Sequence, residues 1–402
     1  MMRPGYPKCE DVGNLRTVMA PGNAARPPRL FVAVLLADVT CFGIVMPLLA
    51  SYAAEFGAGA AVIGGLVATY SLMHFFLAPV WGRLSDRYGR RPVLLVGLGG
   101  TLLSSIVFAM ADSVFLLLAS RIVAGSLGAT LNVTQAYAAD LTPPERRTRV
   151  MGLIGATFGV GFILGPTIGG IASLAGRAAP GLAATVIAGA NLLVAGLWLR
   201  EPAQHRDMRT AAGAARGTLL RYFPPFAAAF ASTLAFTVIY VVFPLHAEQA
   251  LGFDRSRVSY LFAFVGLVAA VVQGGVVGRL VPRLGEGRLV AAGGVLMALG
   301  LASMPLGAGP APNFGLLLAG LALLGAGYGL AGPAEAGYVS RTARGPDQGS
   351  VLGVLQSVNS VSRIAGPLAA GAVMAIGGAP LAFMTAASAA ALAGALGGLM
   401  RR

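Results

Sequence analysis

Apolar residues along this chain come in long unbroken runs rather than at the intervals of a one-sided helix or strand. In windows of about 20 residues, the length needed to cross a bilayer core, twelve such runs are found. They begin near Leu30, Ala61, Pro92, Val114, Val150, Gly181, Phe223, Val258, Leu289, Phe314, Ser350 and Ala379. A soluble amphipathic helix would interrupt each run with a polar face every 3.6 residues. The pattern therefore predicts an all-α membrane protein with twelve transmembrane helices.

Comparison of the chain with itself adds a second level of order. Gly82-Arg83-Leu84 with Arg87 and Gly89 recurs as Gly278-Arg279-Leu280 with Arg283 and Gly285. Val45-Met46-Pro47-Leu48 recurs as Val242-Phe243-Pro244-Leu245, and Gly128, Tyr137, Gly152 and Gly165-Pro166 recur as Gly329, Tyr338, Gly353 and Gly366-Pro367. Two parallel copies of six spans form the kind of molecule that rocks about a midplane site. The expected organisation is a disordered cytoplasmic tail over 1–29, an N-terminal six-helix bundle over 30–199, a cytoplasmic linker over 200–221 and a C-terminal six-helix bundle over 222–402. The tail lacks the apolar run of a signal peptide, and Met1 and Met19 are both available as translation starts. The second copy departs from the first at two charges, with Pro282 where Asp86 stands and Glu286 where Arg90 stands.

Composition and charge fit this picture. The chain is 56% hydrophobic and 11% charged, with a mean hydropathy of +0.76, whereas about a quarter of the residues in soluble domains are charged. A formal net charge of +14 would suggest nucleic acid in a soluble protein. Here its location explains it. Of 29 Lys and Arg, 24 lie in the N-terminal tail, the even-to-odd links and the C-terminal Arg401 and Arg402. The opposite links hold Arg177, Arg255 and Arg257. The positive-inside rule then places both termini in the cytoplasm. The partner this charge points to is therefore the lipid bilayer rather than nucleic acid, and a unit that encloses its own pathway is expected to act as a monomer. The use of 28 Arg against one Lys points to a GC-rich genome. No nucleophile–base set, metal-ligand cluster or nucleotide-binding loop suggests an enzyme, a cofactor or a primary pump. Cys9 and Cys41 cannot pair, one lying in the tail and the other in a membrane helix.

The densest polar stretch is Gly82-Arg83-Leu84-Ser85-Asp86-Arg87-Tyr88-Gly89-Arg90-Arg91. It reads as a tight cytoplasmic turn in which Gly82 and Gly89 let the backbone bend. Followed by Pro92, it resembles the signature between the second and third helices of the major facilitator superfamily. Gly155, Gly159, Gly161, Gly165-Pro166 and Gly169-Gly170 in the fifth span resemble the antiporter signature of that superfamily, and they also fit plain close helix packing. Ala37-Asp38 with Phe42-Gly43-Ile44-Val45-Met46-Pro47, and Arg121 with Gly125, Gly128 and Ala129, resemble elements of the twelve-helix drug:proton antiporters, in particular tetracycline-type efflux transporters. The resemblance runs from Ala37 to Gly170, and the second half is recognisable mainly as its repeat. It implies the major facilitator fold, a bacterial inner-membrane location, and export of small amphipathic compounds by alternating access, driven by the proton gradient. Ser104 stands where tetracycline exporters carry an aspartate, and the ninth span has no acid, which argues against tetracycline as cargo. A lipid or siderophore exporter, a proton-coupled importer and a non-transporting receptor are the alternatives.

Ionisable groups inside spans are costly and mark function. Asp38 lies about eight residues, or about 12 Å, inside its span, and Arg121 enters from the other side. A carboxyl facing an arginine either carries a proton as the cavity changes hydration or forms a structural ion pair. Glu335 is the second proton candidate, with the alternative that it snorkels to the interface beside Arg341. His74 either relays protons or bonds a neighbouring helix. Gln356, Asn359 and Arg363 share one helical face. With Phe42, Asn132, Phe236 and Tyr240 they are expected to line a mixed aromatic and polar cavity, although helix-to-helix bonding fits Asn132 equally. Asp86 is expected to latch onto the start of the eleventh span near Ser350, where the helix dipole favours an anion. Asp140 is placed to pair with Arg87 or Arg91. His246 and Glu248 read as solvated.

Overall fold

The computed structural model describes residues 29–128, 130–140, 147–201, 222–308, 313–343 and 348–400. The tail over 1–28, the linker over 202–221 and Arg401 and Arg402 lie outside the described residues. Every regular element among the described residues is helical, because a backbone in lipid has to satisfy its own N–H and C=O groups within the segment. In the N-terminal half, α1 (Arg29–Glu55), α2 (Ala60–Tyr88), α3 (Arg90–Ala109), α6 (Arg147–Ser173) and α7 (Ala179–Trp198) each cross once, and α4 (Val114–Leu127) with α5 (Thr130–Asp140) makes the fourth crossing. In the C-terminal half, α8 (Phe223–Thr237) with α9 (Ile239–Leu251) makes the seventh crossing. The eighth is α10 (Arg255–Val271), a π-helical turn (Val272–Val276) and α11 (Val277–Leu284), and the next two are α12 (Glu286–Ser303) and α13 (Phe314–Thr342). The helix α14 (Gln348–Leu399) supplies the last two crossings, broken at Gly378 where φ is 73°. Outward faces carry side chains such as Val186 and Ile376, 71% and 85% exposed. Such surfaces belong against lipid rather than water.

Two six-helix bundles result, and the repeat is visible in their packing. In the first, α6 lies on α1 so closely that a Cβ at Gly165 would sit 2.6 Å from Cα of Gly43, and one at Gly161 would sit 2.6 Å from Cγ1 of Val39. In the second, Gly366 of α14 lies on α8 in the same way, with the Leu234 carbonyl oxygen 3.0 Å from where its Cβ would be. Between bundles, α2 meets α14 and α6 meets α10. A Cβ at Gly64 would stand 3.2 Å from Cα of Gly371, and one at Gly266 would stand 2.9 Å from the Phe162 carbonyl oxygen. Glycine is needed at these crossings because any side chain would push the backbones apart.

The two ends of the molecule differ. At the end opposite the arginine-rich links, one apolar core joins both bundles, with Leu49, Tyr52, Val242, Phe243 and Phe262 in the same cluster. Polar contacts seal its rim. Arg255 donates to Glu55 at 2.5 Å, Arg177 stands 3.9 Å from the same carboxylate, and the Ser173 and Ser256 hydroxyls are 2.8 Å apart. At the basic end the bundles keep separate cores, one around Phe31 and Tyr137 and others around Phe226 and Val277.

The basic link is shorter than its sequence suggests. Gly82 is helical, in the last turns of α2, and has open space around it. The helix continues because Arg83 and Arg87 reach solvent without the backbone leaving helical geometry. The reversal falls on Gly89 alone, at φ 103°, and on Gly285 at φ 80° in the second copy.

Candidate functional site

A cavity of about 540 Å³ lies between the bundles. It is closed beyond Pro47 by the shared core and reaches toward the basic end, where Gly155 and Gln356 line it and are exposed. The N-terminal bundle contributes Asp38, Phe42, Tyr70, His74, Thr101 and Arg121. From the C-terminal bundle come Phe236, Tyr240, Gln273, Tyr328, Gln356 and Arg363. Of the residues expected there, Phe42, Phe236, Tyr240, Gln356 and Arg363 are among those that line it.

Of the other two residues expected there, one stands outside its wall and one is not among the described side chains. Asn359 is taken up between helices, where Thr233 Oγ1 donates to its Oδ1 at 3.1 Å. Asn132 lies outside the residues whose side chains are described.

Asp38 and Arg121 line the same cavity without forming an ion pair. The Asp38 carboxylate instead accepts from Thr101 Oγ1 of α3 at 2.7 Å. Arg121 is the largest fully buried side chain, 2% exposed, with its guanidinium 6.0 Å over the Phe108 ring and 3.3 Å from Ser120 Oγ. Tyr70 is within electrostatic reach of Asp38, Arg121 and Arg363 alike. His74 stacks on Tyr70 with ring centroids 6.0 Å apart and lies against the Gly128 backbone. That contact joins α2 to the end of α4.

Glu335 is not at the interface beside Arg341. It is 3% exposed inside the C-terminal bundle, where Ser232 Oγ donates to it at 2.9 Å, and it does not line the cavity. Arg341 pairs instead with Glu286 at the start of α12. His246 is likewise buried, 6% exposed and edge-on to Phe383, and Glu248 is half-buried. Both belong to the last turns of α9, which extends beyond the apolar run.

In the basic link, Arg90 makes the connections. Its Nε donates to Asp140 at 2.9 Å, so Asp140 meets Arg90 rather than Arg87 or Arg91. The Arg90 guanidinium also holds Asp86 and donates to Ser85 Oγ at 2.7 Å. Asp86 is exposed and has no bond to α14 among the described residues, and Ser350 lies outside the described side chains. Glu201, at the end of the sixth crossing, accepts from the backbone N–H groups of Arg90 and Arg91 at 2.5 and 2.8 Å. It caps the N-terminus of α3 with a negative charge, which the helix dipole favours. In the antiporter motif, Gly161, Gly165 and Gly169 pack on α1, Pro166 faces the cavity, and Gly170 abuts Ser259 and Tyr260 of the other bundle.

Sequence reasoning passed over Thr101, Tyr70, Gln273 and Tyr328. The first two are polar residues in otherwise apolar spans, and a helical wheel alone does not show what they face. Gln273 lies in the π-helical turn, a distortion that often marks functional positions.

Two stretches of the chain, residues 30–224 and 225–402, each match the model of the Major Facilitator Superfamily. Over 357 residues the chain is 35% identical to the class C tetracycline resistance protein of Escherichia coli, covering 84% of this chain and 87% of that protein. It is 31% identical over 351 residues to the class B protein of the same organism, covering 85% and 86%. The crystal structure of the human organic anion transporter MFSD10 superposes with a TM-score of 0.69 at 25% identity, covering 92% of this chain and all of that one. With both halves matched and the two-bundle architecture in place, the chain belongs to the Major Facilitator Superfamily.

Proposed function

We propose that this protein is a proton-coupled exporter of small amphipathic organic compounds that works by alternating access. The observation that carries this reading is Asp38, a carboxylate with no cationic partner among the described residues, in the wall of a cavity between two bundles and held by a neutral threonine. Such a group changes its proton occupancy when the cavity changes its access to water, which couples proton movement to the rocking of the bundles. The similarity to tetracycline resistance proteins supports efflux as the direction. Neutral, buried Ser104 in the cavity wall supports a cargo other than tetracycline.

The asymmetry of charge supports one orientation. With the arginine-rich links in the cytoplasm of a bacterial inner membrane, both termini are cytoplasmic and the present arrangement faces inward. The open basic end and the bundle-spanning contacts at the opposite rim support this state. In this reading Asp86 has no bond to α14 among the described residues because the latch belongs to the outward-facing state. The molecule acts as a monomer, since each chain encloses its own cavity.

The test is efflux of an amphipathic dye from cells or inverted vesicles, with wild type and Asp38→Asn, before and after the proton gradient is collapsed. Wild-type efflux that stops with the gradient, together with an inert and well-folded Asp38→Asn, is the expected outcome. Undiminished transport by Asp38→Asn would remove Asp38 from the proton path.

A further inference from the structure

The cavity is not balanced in charge. Its described lining carries two guanidinium groups, Arg121 and Arg363, against one carboxylate, Asp38. The two arginines are presented differently. Arg121 is sunk into the wall beside Phe108 and Ser120. Arg363 lies about 15 residues, or about 22 Å, along α14 from its start at Gln348. Even there it is exposed, and the surface it is exposed to is the cavity. No described carboxylate stands within ion-pair distance of it. Tyr70, His74, Tyr240 and Tyr328 share the cavity lining with it, and at neutral pH neither a phenol nor an imidazole is ordinarily anionic. A cation kept at this depth without a counter-ion is expensive, and a guanidinium offers a planar fork of donors suited to an anionic oxygen pair.

The same cavity lining holds a cluster of aromatic rings. Phe236 and Tyr328 stack with centroids 3.9 Å apart and planes 11° from parallel, and Tyr240 meets Phe236 edge-on at 6.1 Å. Such a surface accepts a planar ring by stacking or edge contact. Gln273 and Gln356 add neutral donors and acceptors, with no further charge.

From these features we infer that the cargo is a planar aromatic organic anion, with its carboxylate or other anionic oxygens bound by Arg363 and its ring system packed against the Phe236, Tyr240 and Tyr328 cluster. Arg363 is then a specificity-determining residue that selects anions over cations of the same shape. This rests on the transport reading above, but binding in the cavity needs neither a gradient nor a direction, so it is tested separately.

The experiment is equilibrium binding by fluorescence anisotropy on the purified full chain in detergent. Two xanthene dyes of similar ring system and opposite charge serve as probes, carboxyfluorescein and rhodamine 123. Wild type is expected to bind carboxyfluorescein at least about tenfold tighter than rhodamine 123. Arg363→Gln should weaken carboxyfluorescein by about 10- to 100-fold, the loss expected when a charge-assisted contact is removed, and should tighten rhodamine 123 as the repulsion disappears. Arg363→Lys should fall between them, showing that charge and not fold is at issue. A wild type that prefers rhodamine 123 or binds neither dye overturns the inference, as does an Arg363→Gln that shifts both dyes equally. None of these results depends on the Asp38 efflux test, which reads coupling alone.

Discussion

Reversing the charges of Arg90 and Asp140 together should leave the protein far more stable than reversing either alone. In the first copy Arg90 donates to Asp140 at 2.9 Å, and the two side chains are only 16% and 17% exposed. In the second copy Glu286 occupies the place of Arg90 at a shift of 196 residues, and Arg341 that of Asp140 at a shift of 201. Those two also pair, so the same slot is filled with its polarity inverted. With both partners mostly covered, the first pair is worth about 1.5–3 kcal/mol as a charge-assisted bond. Arg90→Glu alone would set carboxylates at 86, 90 and 140 against one another beside Glu201, and Asp140→Arg alone would oppose two guanidinium groups. The double variant restores an attractive pair but not the links from Arg90 to Asp86 and Ser85. About half of the summed loss should return, with a coupling energy of about 2 kcal/mol. The assay is a double-mutant cycle on unfolding free energies, from denaturant titration of the detergent-purified protein. A coupling energy below about 0.5 kcal/mol, or a double variant no better than its worse parent, would refute the equivalence of the two slots.

Two further outcomes concern the working cycle. Arg255→Ala removes the rim contact between bundles at Glu55. Because both groups are about a third or more exposed, the shift should be modest, about two- to fivefold toward the state open at that rim, and weaker in high salt. Spin labels across the rim, read as a distance distribution, would show it, and an unchanged distribution would mean that the apolar core alone holds the closure. If one monoanion leaves for each proton that enters, two positive charges move inward per cycle. A membrane potential of 100 mV then contributes about 4.6 kcal/mol. Carboxyfluorescein efflux from proteoliposomes should therefore respond to a potassium-diffusion potential at constant pH, and insensitivity to that potential would exclude this stoichiometry for an anionic cargo.

The sequence alone determined the architecture. Apolar run length is a one-dimensional property, so twelve crossings, the duplicated unit and the crowding of arginines onto one set of links could all be read without coordinates. The motif glycines were legible as well, since a missing Cβ announces close approach whatever its partner turns out to be. Tertiary structure decided which polar residues meet. Spacing along a helix fixes a shared face but not what that face opposes, so Asp38 was expected to face Arg121 and instead accepts from Thr101. For the same reason Glu335 turned inward to Ser232 while Arg341 went to Glu286. The replacement of Arg90 by Glu286 had no visible counterpart in the sequence because its compensating partner lies 55 residues away. Only the packing of α13 against α12 brings the two together, and it is the rotation and neighbours of each helix, set by side chains from many segments at once, that turn a list of polar positions into a cavity.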